Sequence, residues 1–175
     1  MKKGTVITLL GAIGLLALLA VPTLATEGGN LKANLTGYEE VPAISTSGSG
    51  EFQAKVTTDG AAINYVLSYS GLQNAFAAHI HFGQKAVNGG VSVFLCGGGD
   101  KPACPTSEGT VTGTIDADDV IGPAGQGIAP GELGELIAAL RAGVTYANVH
   151  TNDNVAPPNT GPGDFPGGEI RGQIG

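Results

Sequence analysis

"EFQAKVTTDGAAINYVLSYS", Glu51 to Ser70, reads as two strands and the turn between them. In the first run Phe52, Ala54 and Val56 alternate with Glu51, Gln53 and Lys55; the second, from Ala62, keeps the period of two that a half-buried strand requires. Asp59-Gly60-Ala61 supplies hairpin-type turn chemistry, because glycine enters the left-handed region at little steric cost. Strand patterning recurs at Leu31 to Gly37, Phe76 to Phe82, Val91 to Cys96, Gly109 to Ile115, Val144 to Thr151 and Gly168 to Ile174, punctuated by 30 glycines and 10 prolines. About eight short strands with frequent turns predict an all-β protein, a Greek-key β-sandwich or barrel. One segment departs from this period. In "PGELGELIAALRAG", Leu133, Leu136, Ile137 and Leu140 fall at i, i+3, i+4 and i+7, so one short amphipathic helix is expected near 130–142, with Pro130 at its start and Gly143 past its end.

The N-terminus places Lys2 and Lys3 before the apolar run "VITLLGAIGLLALLAV", with the small residues of "PTLA" after it. That order is the order of a secretory signal peptide, expected at 1–25, which leaves a single β domain at 26–175. The run falls short of the ~20 apolar residues of a membrane span, so a membrane is a partner only if this segment stays uncleaved. With 15 acidic residues against 8 basic ones the chain carries a net charge of −7, and losing Lys2 and Lys3 makes it more acidic still. Nucleic acid and anionic membrane reward positive patches and are not expected partners. The expected location is secreted, periplasmic or in the cell envelope. There the two cysteines, Cys96 and Cys104 in "CGGGDKPAC", are expected to close a disulfide across a short Gly/Pro-rich loop; a two-thiolate metal site is the weaker alternative.

All three histidines lie in strand-patterned runs. In "AAHIHFG", Ala77 to Gly83, alternation puts His79 and His81 on one face, their Cα atoms ~6.7 Å apart, with Ala78, Ile80 and Phe82 on the other. The same rule aligns Tyr146, Asn148 and His150 in "YANVHT", and Glu169, Arg171 and Gln173 in "GEIRGQI". Three imidazoles suit copper or zinc with one position left open for water or a small ligand. Around them Asn148, Glu169 and Arg171 are candidate supporting residues: Glu169 to orient a histidine, Arg171 to attract an anion. The alternative is a hydrogen-bonded polar cluster of the same residues that stabilises a sheet and binds nothing. Hydrolase chemistry lacks an anchor, since no serine stands in a G-x-S-x-G elbow. "DADD", Asp116 to Asp119, reads as a solvated acidic turn, and Asn152 to Gly168 as a long loop, either functional or merely connecting.

Five stretches occur in a recognisable order: "LTGYEEVPAISTSGSGEF", "YVLSYSGLQNAFAAHIHFG", "NGGVSVFLC", "LRAGVTYANVHT" and "FPGGEIRGQI". In these the chain resembles the CHRD domain family, named for the domains of the extracellular regulator chordin and found also as single secreted bacterial domains. The resemblance spans Leu31 to Ile174 and implies an exported, β-rich domain. A more distant likeness is to the copper-zinc superoxide dismutases, themselves Greek-key barrels. Through "HIHFG" and "NVHT" that likeness implies His79, His81 and His150 as copper ligands, and through "EIRG" it implies Arg171 as a guide for superoxide. The further histidines of a zinc site are absent. Three functions follow in order: an exported module binding copper or another transition metal, a structural or adhesive module that binds an extracellular protein or polysaccharide without metal, and a copper-only dismutase-like enzyme. No catalytic residue is assigned.

Overall fold

The structure is a computed structural model that describes Met1 and residues 29–175, so the expected signal segment lies, Met1 apart, outside the described residues. The eight expected strands all form: β1 (Leu31–Thr36), β2 (Ser49–Val56), β3 (Ile63–Ser70), β4 (Ala75–Phe82), β5 (Gly90–Cys96), β6 (Gly109–Ile115), β7 (Thr145–Thr151) and β8 (Ile170–Gln173). They make one antiparallel sheet in the order β5-β4-β7-β8-β1-β2-β3-β6. The sheet curls until β5 and β6 touch without a hydrogen-bonded ladder, which leaves an all-β barrel closed except at one seam. The quoted hairpin behaves as its sequence dictates: Gly60 takes φ 70°, and the Asp59 carboxylate accepts from the Thr57 hydroxyl at 2.6 Å and the Ala61 amide at 3.1 Å.

One face of each strand fills the barrel. Leu35, Phe52, Ile63, Leu67, Ile80, Val93, Leu95, Ile115, Val149 and Ile170 are fully buried there, each contributing ~1.5–3 kcal/mol by leaving water. The α-helix α1 (Leu133–Arg141) buries the apolar stripe Leu133, Leu136, Ile137 and Leu140. It starts three residues later than Pro130 suggests, because Gly131 sits at φ 87°, outside the helical region. Among the described residues no helix is long and apolar enough to cross a membrane.

The seam is bridged by side chains. Tyr65 of β3 lies opposite Gly113 of β6, and its hydroxyl donates to the Leu95 carbonyl of β5 at 2.6 Å. A Cβ at position 113 would come within 2.5 Å of that phenol oxygen, so the ring passes over the one residue type that leaves it room. Beyond the seam the Cys96–Cys104 disulfide, with Cα atoms 5.1 Å apart, ties the end of β5 to the chain leading to β6. The acidic turn is a short 3-10 helix whose Asp119 pairs with Lys101 at 2.6 Å.

β7 is different from the other strands. Ala147 and Val149 face the barrel interior, while Tyr146, Asn148 and His150 face outward, yet all seven of its residues are buried. Loops cover the outer face of β4, β7 and β8, and that covered face holds every histidine.

Candidate metal centre

Register assembles the cluster. His79 pairs with Asn148, which pairs with Arg171; His81 pairs with Tyr146, which pairs with Gln173; and His150 pairs with Ala77. Opposite residues in an antiparallel ladder share a face, so His79, His81, His150, Tyr146, Asn148 and Arg171 form one polar layer on the outside of the barrel. His81 and His150 are buried at 8% and 6% exposure, and His79 is half-buried.

Two backbone carbonyls set the protons. His81 Nδ1 lies 3.0 Å from the Gly89 carbonyl and His150 Nδ1 lies 3.0 Å from the Pro166 carbonyl. A carbonyl only accepts, so both imidazoles carry their proton on Nδ1 and present a lone pair on Nε2. His79 Nδ1 lies 3.0 Å from His150 Nε2 and therefore donates to it in the metal-free protein. The Nε2 atoms of His79 and His81 are buried without a hydrogen-bond partner. Burial, reinforced by the neighbouring imidazoles His150 and His81, drives the His79 pKa from 6.5 down to about 3. Burial likewise drives His81 to about 4 and lowers His150. All three rings are neutral at pH 7, the state in which imidazole ligates a metal.

The donor set is compatible with a single ion. One nitrogen from each ring can be chosen so that all three lie within 4.8 Å of one another. Bonds near 2.0–2.1 Å place two ligand nitrogens ~3.0–3.6 Å apart. The His79 Nδ1–His150 Nε2 separation of 3.0 Å falls in that range once His79 Nδ1 gives up its proton, and a pair at the 4.8 Å limit needs ~1–2 Å of side-chain closure. The rings are fixed by their neighbours: His79 packs on the edge of Phe94 at 4.5 Å, and His81 stacks on Tyr146 at 4.8 Å with planes 5° apart.

The supporting residues fall elsewhere than the sequence suggests. The Glu169 carboxylate is buried and accepts from the hydroxyls of Thr46 at 2.5 Å and Thr151 at 2.6 Å and from the Gly163 amide at 2.8 Å. It pins the covering loops to the barrel instead of orienting a histidine, a task held by the Gly89 and Pro166 carbonyls. Arg171 is 1% exposed and donates to Asn88 Oδ1 and to the Gln84 and Val87 carbonyls, so it does not meet solvent to collect an anion. Asn148 is buried between them with its Oδ1 unpartnered. The Asn152–Gly168 loop brings the Pro166 carbonyl to His150.

Two participants escape the sequence reading. Glu40 is 7% exposed, and burial raises its pKa from 4.5 to about 7 against the opposing pull of Arg171. Nothing in "GYEEVP" distinguishes it from Glu39, which is half-buried and pairs with Lys85 at 3.2 Å. Gly89 is the other. A Cβ there would lie 1.8 Å from the Phe82 carbonyl, so only glycine brings that backbone down onto His81.

The family model described as the CHRD domain matches residues 31–157. No curated protein and no solved structure matches the chain. His79, His81 and His150 lie within the matched span, and Glu169 and Arg171 follow it. The match covers well over half of the chain, which therefore belongs to the CHRD domain family.

Proposed function

We propose that this CHRD-family domain is an exported binding module that holds one transition-metal ion, copper by preference, between His79, His81 and His150. The observation that carries the reading is the convergence of three neutral imidazoles, two of them with the inward nitrogen stripped of its proton by a backbone carbonyl. An all-imidazole set favours copper, because affinity for divalent first-row metals peaks at Cu(II). Both cysteines are committed to the disulfide, which leaves no thiolate to draw zinc. Export is supported by the basic-apolar-small order of residues 1–25 and by the disulfide, a feature of oxidising compartments. Bound copper would supply a redox-capable Lewis acid; the protein's own part is to keep the three nitrogens deprotonated and mutually placed.

A second reading has its own observation. The His79–His150 hydrogen bond and the His81–Tyr146 stack hold together with no ion, as an architectural cluster in a module that binds an envelope protein or polysaccharide would. A dismutase-like activity is the weakest of the three, since Arg171 is buried and a net charge of −7 repels a diffusing anion.

Calorimetric titration of the metal-stripped domain with Cu(II) and Zn(II), beside the His79→Ala/His81→Ala/His150→Ala variant, tests the proposal. One equivalent of copper taken up tightly and lost in the folded variant supports it. Equal uptake by both proteins removes the site and leaves the architectural reading. Superoxide removal faster than free copper gives would instead promote the enzyme.

A further inference from the structure

Arg171 stands one ring away from the histidines, and everything around it leads to a single backbone atom. Its Nη1 donates to Asn88 Oδ1 at 3.2 Å, and its Nη2 donates to the carbonyls of Gln84 at 3.2 Å and Val87 at 2.9 Å. One guanidinium thus fastens three residues of the loop that joins β4 to β5. The same group sits over the Tyr146 ring, with Cζ 3.4 Å from the centroid, and His81 stacks on that ring at 4.8 Å. The Tyr146 hydroxyl accepts from the Gly89 amide at 3.1 Å and donates to the Gly89 carbonyl at 3.4 Å. That carbonyl is the one that holds the His81 proton on Nδ1.

We infer that Arg171 is a positioning residue: by clamping the 84–88 segment and the Tyr146 ring it fixes the Gly89 carbonyl, and through it the His81 tautomer that leaves Nε2 free to ligate. The physical case rests on how weakly the loop is held otherwise. Residues 84–88 are exposed, Ala86 stands at the unfavourable φ of 60°, and the loop's own backbone bond is Val87 to Gln84 at 3.1 Å. Asn88 adds a bond to the Val41 carbonyl, Lys85 a solvent-exposed ion pair to Glu39 at 3.2 Å, and Gln173 a bond to the Gly83 carbonyl. Planar, multi-donor guanidinium geometry suits the bridging of several carbonyls, and a lysine ammonium cannot both bridge them and lie flat on an aromatic ring. The functional half of this inference rests on the proposed metal centre, whereas the tautomer half stands on the metal-free protein.

The test reads both halves separately. Nitrogen NMR of the imidazoles reports the His81 tautomer without metal, and Cu(II) titration reports affinity, for wild type and for Arg171→Lys, Arg171→Gln and Asn88→Ala. Wild type is expected to show a single His81 species protonated on Nδ1. Arg171→Gln is expected to mix in the Nε2-protonated form and to weaken copper binding ~10–100-fold, the scale of losing an outer-shell orienting group. Arg171→Lys should not restore either property. Asn88→Ala, on the exposed loop, removes one anchor and keeps the test alive if the buried substitution prevents folding; it should shift the tautomer in the same direction by less. An unaltered tautomer in folded Arg171→Gln or, failing that, in Asn88→Ala overturns the inference. Full rescue by Arg171→Lys, or unchanged affinity despite a shifted tautomer, overturns it as well. A shifted tautomer in a protein whose wild type takes no copper leaves the positioning role standing and removes the metal centre.

Discussion

A histidine ligates only through a nitrogen that carries no proton, and here two carbonyl oxygens decide which nitrogen that is. Alternation along three strands was enough to put His79, His81 and His150 on polar faces, because a period of two is written in the side chains. The carbonyls of Gly89 and Pro166 have no side-chain signature, and the burial that separates Glu40 from Glu39 is made by the loop that covers them; neither was legible. The buried titratable groups set opposite slopes in pH. Each histidine has a folded pKa below its unfolded 6.5, so below that pH the unfolded chain takes up protons the folded chain refuses. Their contribution is complete above 6.5 and is lost as pH falls through the folded values, about 4 for His81 and about 3 for His79. Glu40 works the other way: its folded value of about 7 exceeds the unfolded 4.5, so its contribution is present below 4.5 and is lost as pH rises through 7. Glu40→Gln should therefore stabilise the protein by ~1–3 kcal/mol at pH 8 and change little at pH 4, as read from urea midpoints. Equal effects at both pH values would remove the assigned cause.

At the scale of elements, the sequence located all eight strands to within two residues because turn chemistry brackets each one. β6 came out at its expected bounds, while β8 starts later than Gly168, where φ of 126° is not strand geometry. The helix stripe was equally clear, and its first turn was not, because Gly131 rather than Pro130 governs the entry. The disulfide follows from cysteines that bound a short loop. Chain-entropy reasoning assigns so short a closure ~2–3 kcal/mol. Cys96 also pairs with Ala78, the residue before His79. Cys96→Ala/Cys104→Ala should thus lower the unfolding free energy by about that amount in chemical denaturation. It should also loosen the Phe94 edge on His79, visible as line broadening of that imidazole. Loss of stability with an unaltered His79 signal would confine the disulfide to a stapling role.

For the whole molecule, strand count was readable and strand order was not. Pairing β3 with β6 and β4 with β7 depends on chain crossings that leave no mark on local pattern, and a sandwich and a barrel share the same alternation. The seam between β5 and β6 is the consequence that matters for stability. Its principal polar bridge is the Tyr65 hydroxyl on the Leu95 carbonyl. Tyr65→Phe keeps the ring and strands a buried acceptor, so a loss of ~1–3 kcal/mol is expected. Hydrogen exchange should accelerate first in β5 and β6 and leave β1 and β2 unchanged. Uniform acceleration across the barrel would mean the seam is no weaker than its ladders.

β7 carries a further consequence for how this sequence can drift. Strands such as β2 and β3 have one face in water, so every second position can exchange among polar residues with little penalty. β7 has the barrel core beneath it and the loop-covered polar layer above it, with all seven residues buried. Ala147 and Val149 on the inner face demand apolar shape, and Tyr146, Asn148 and His150 on the outer face demand particular donors and acceptors. Within one strand, neighbouring positions thus answer to two different constraints, apolar packing below and polar pairing above. A lineage that abandoned the histidines would first show it as relaxed variation on alternate positions of β7, with Ala147 and Val149 still held.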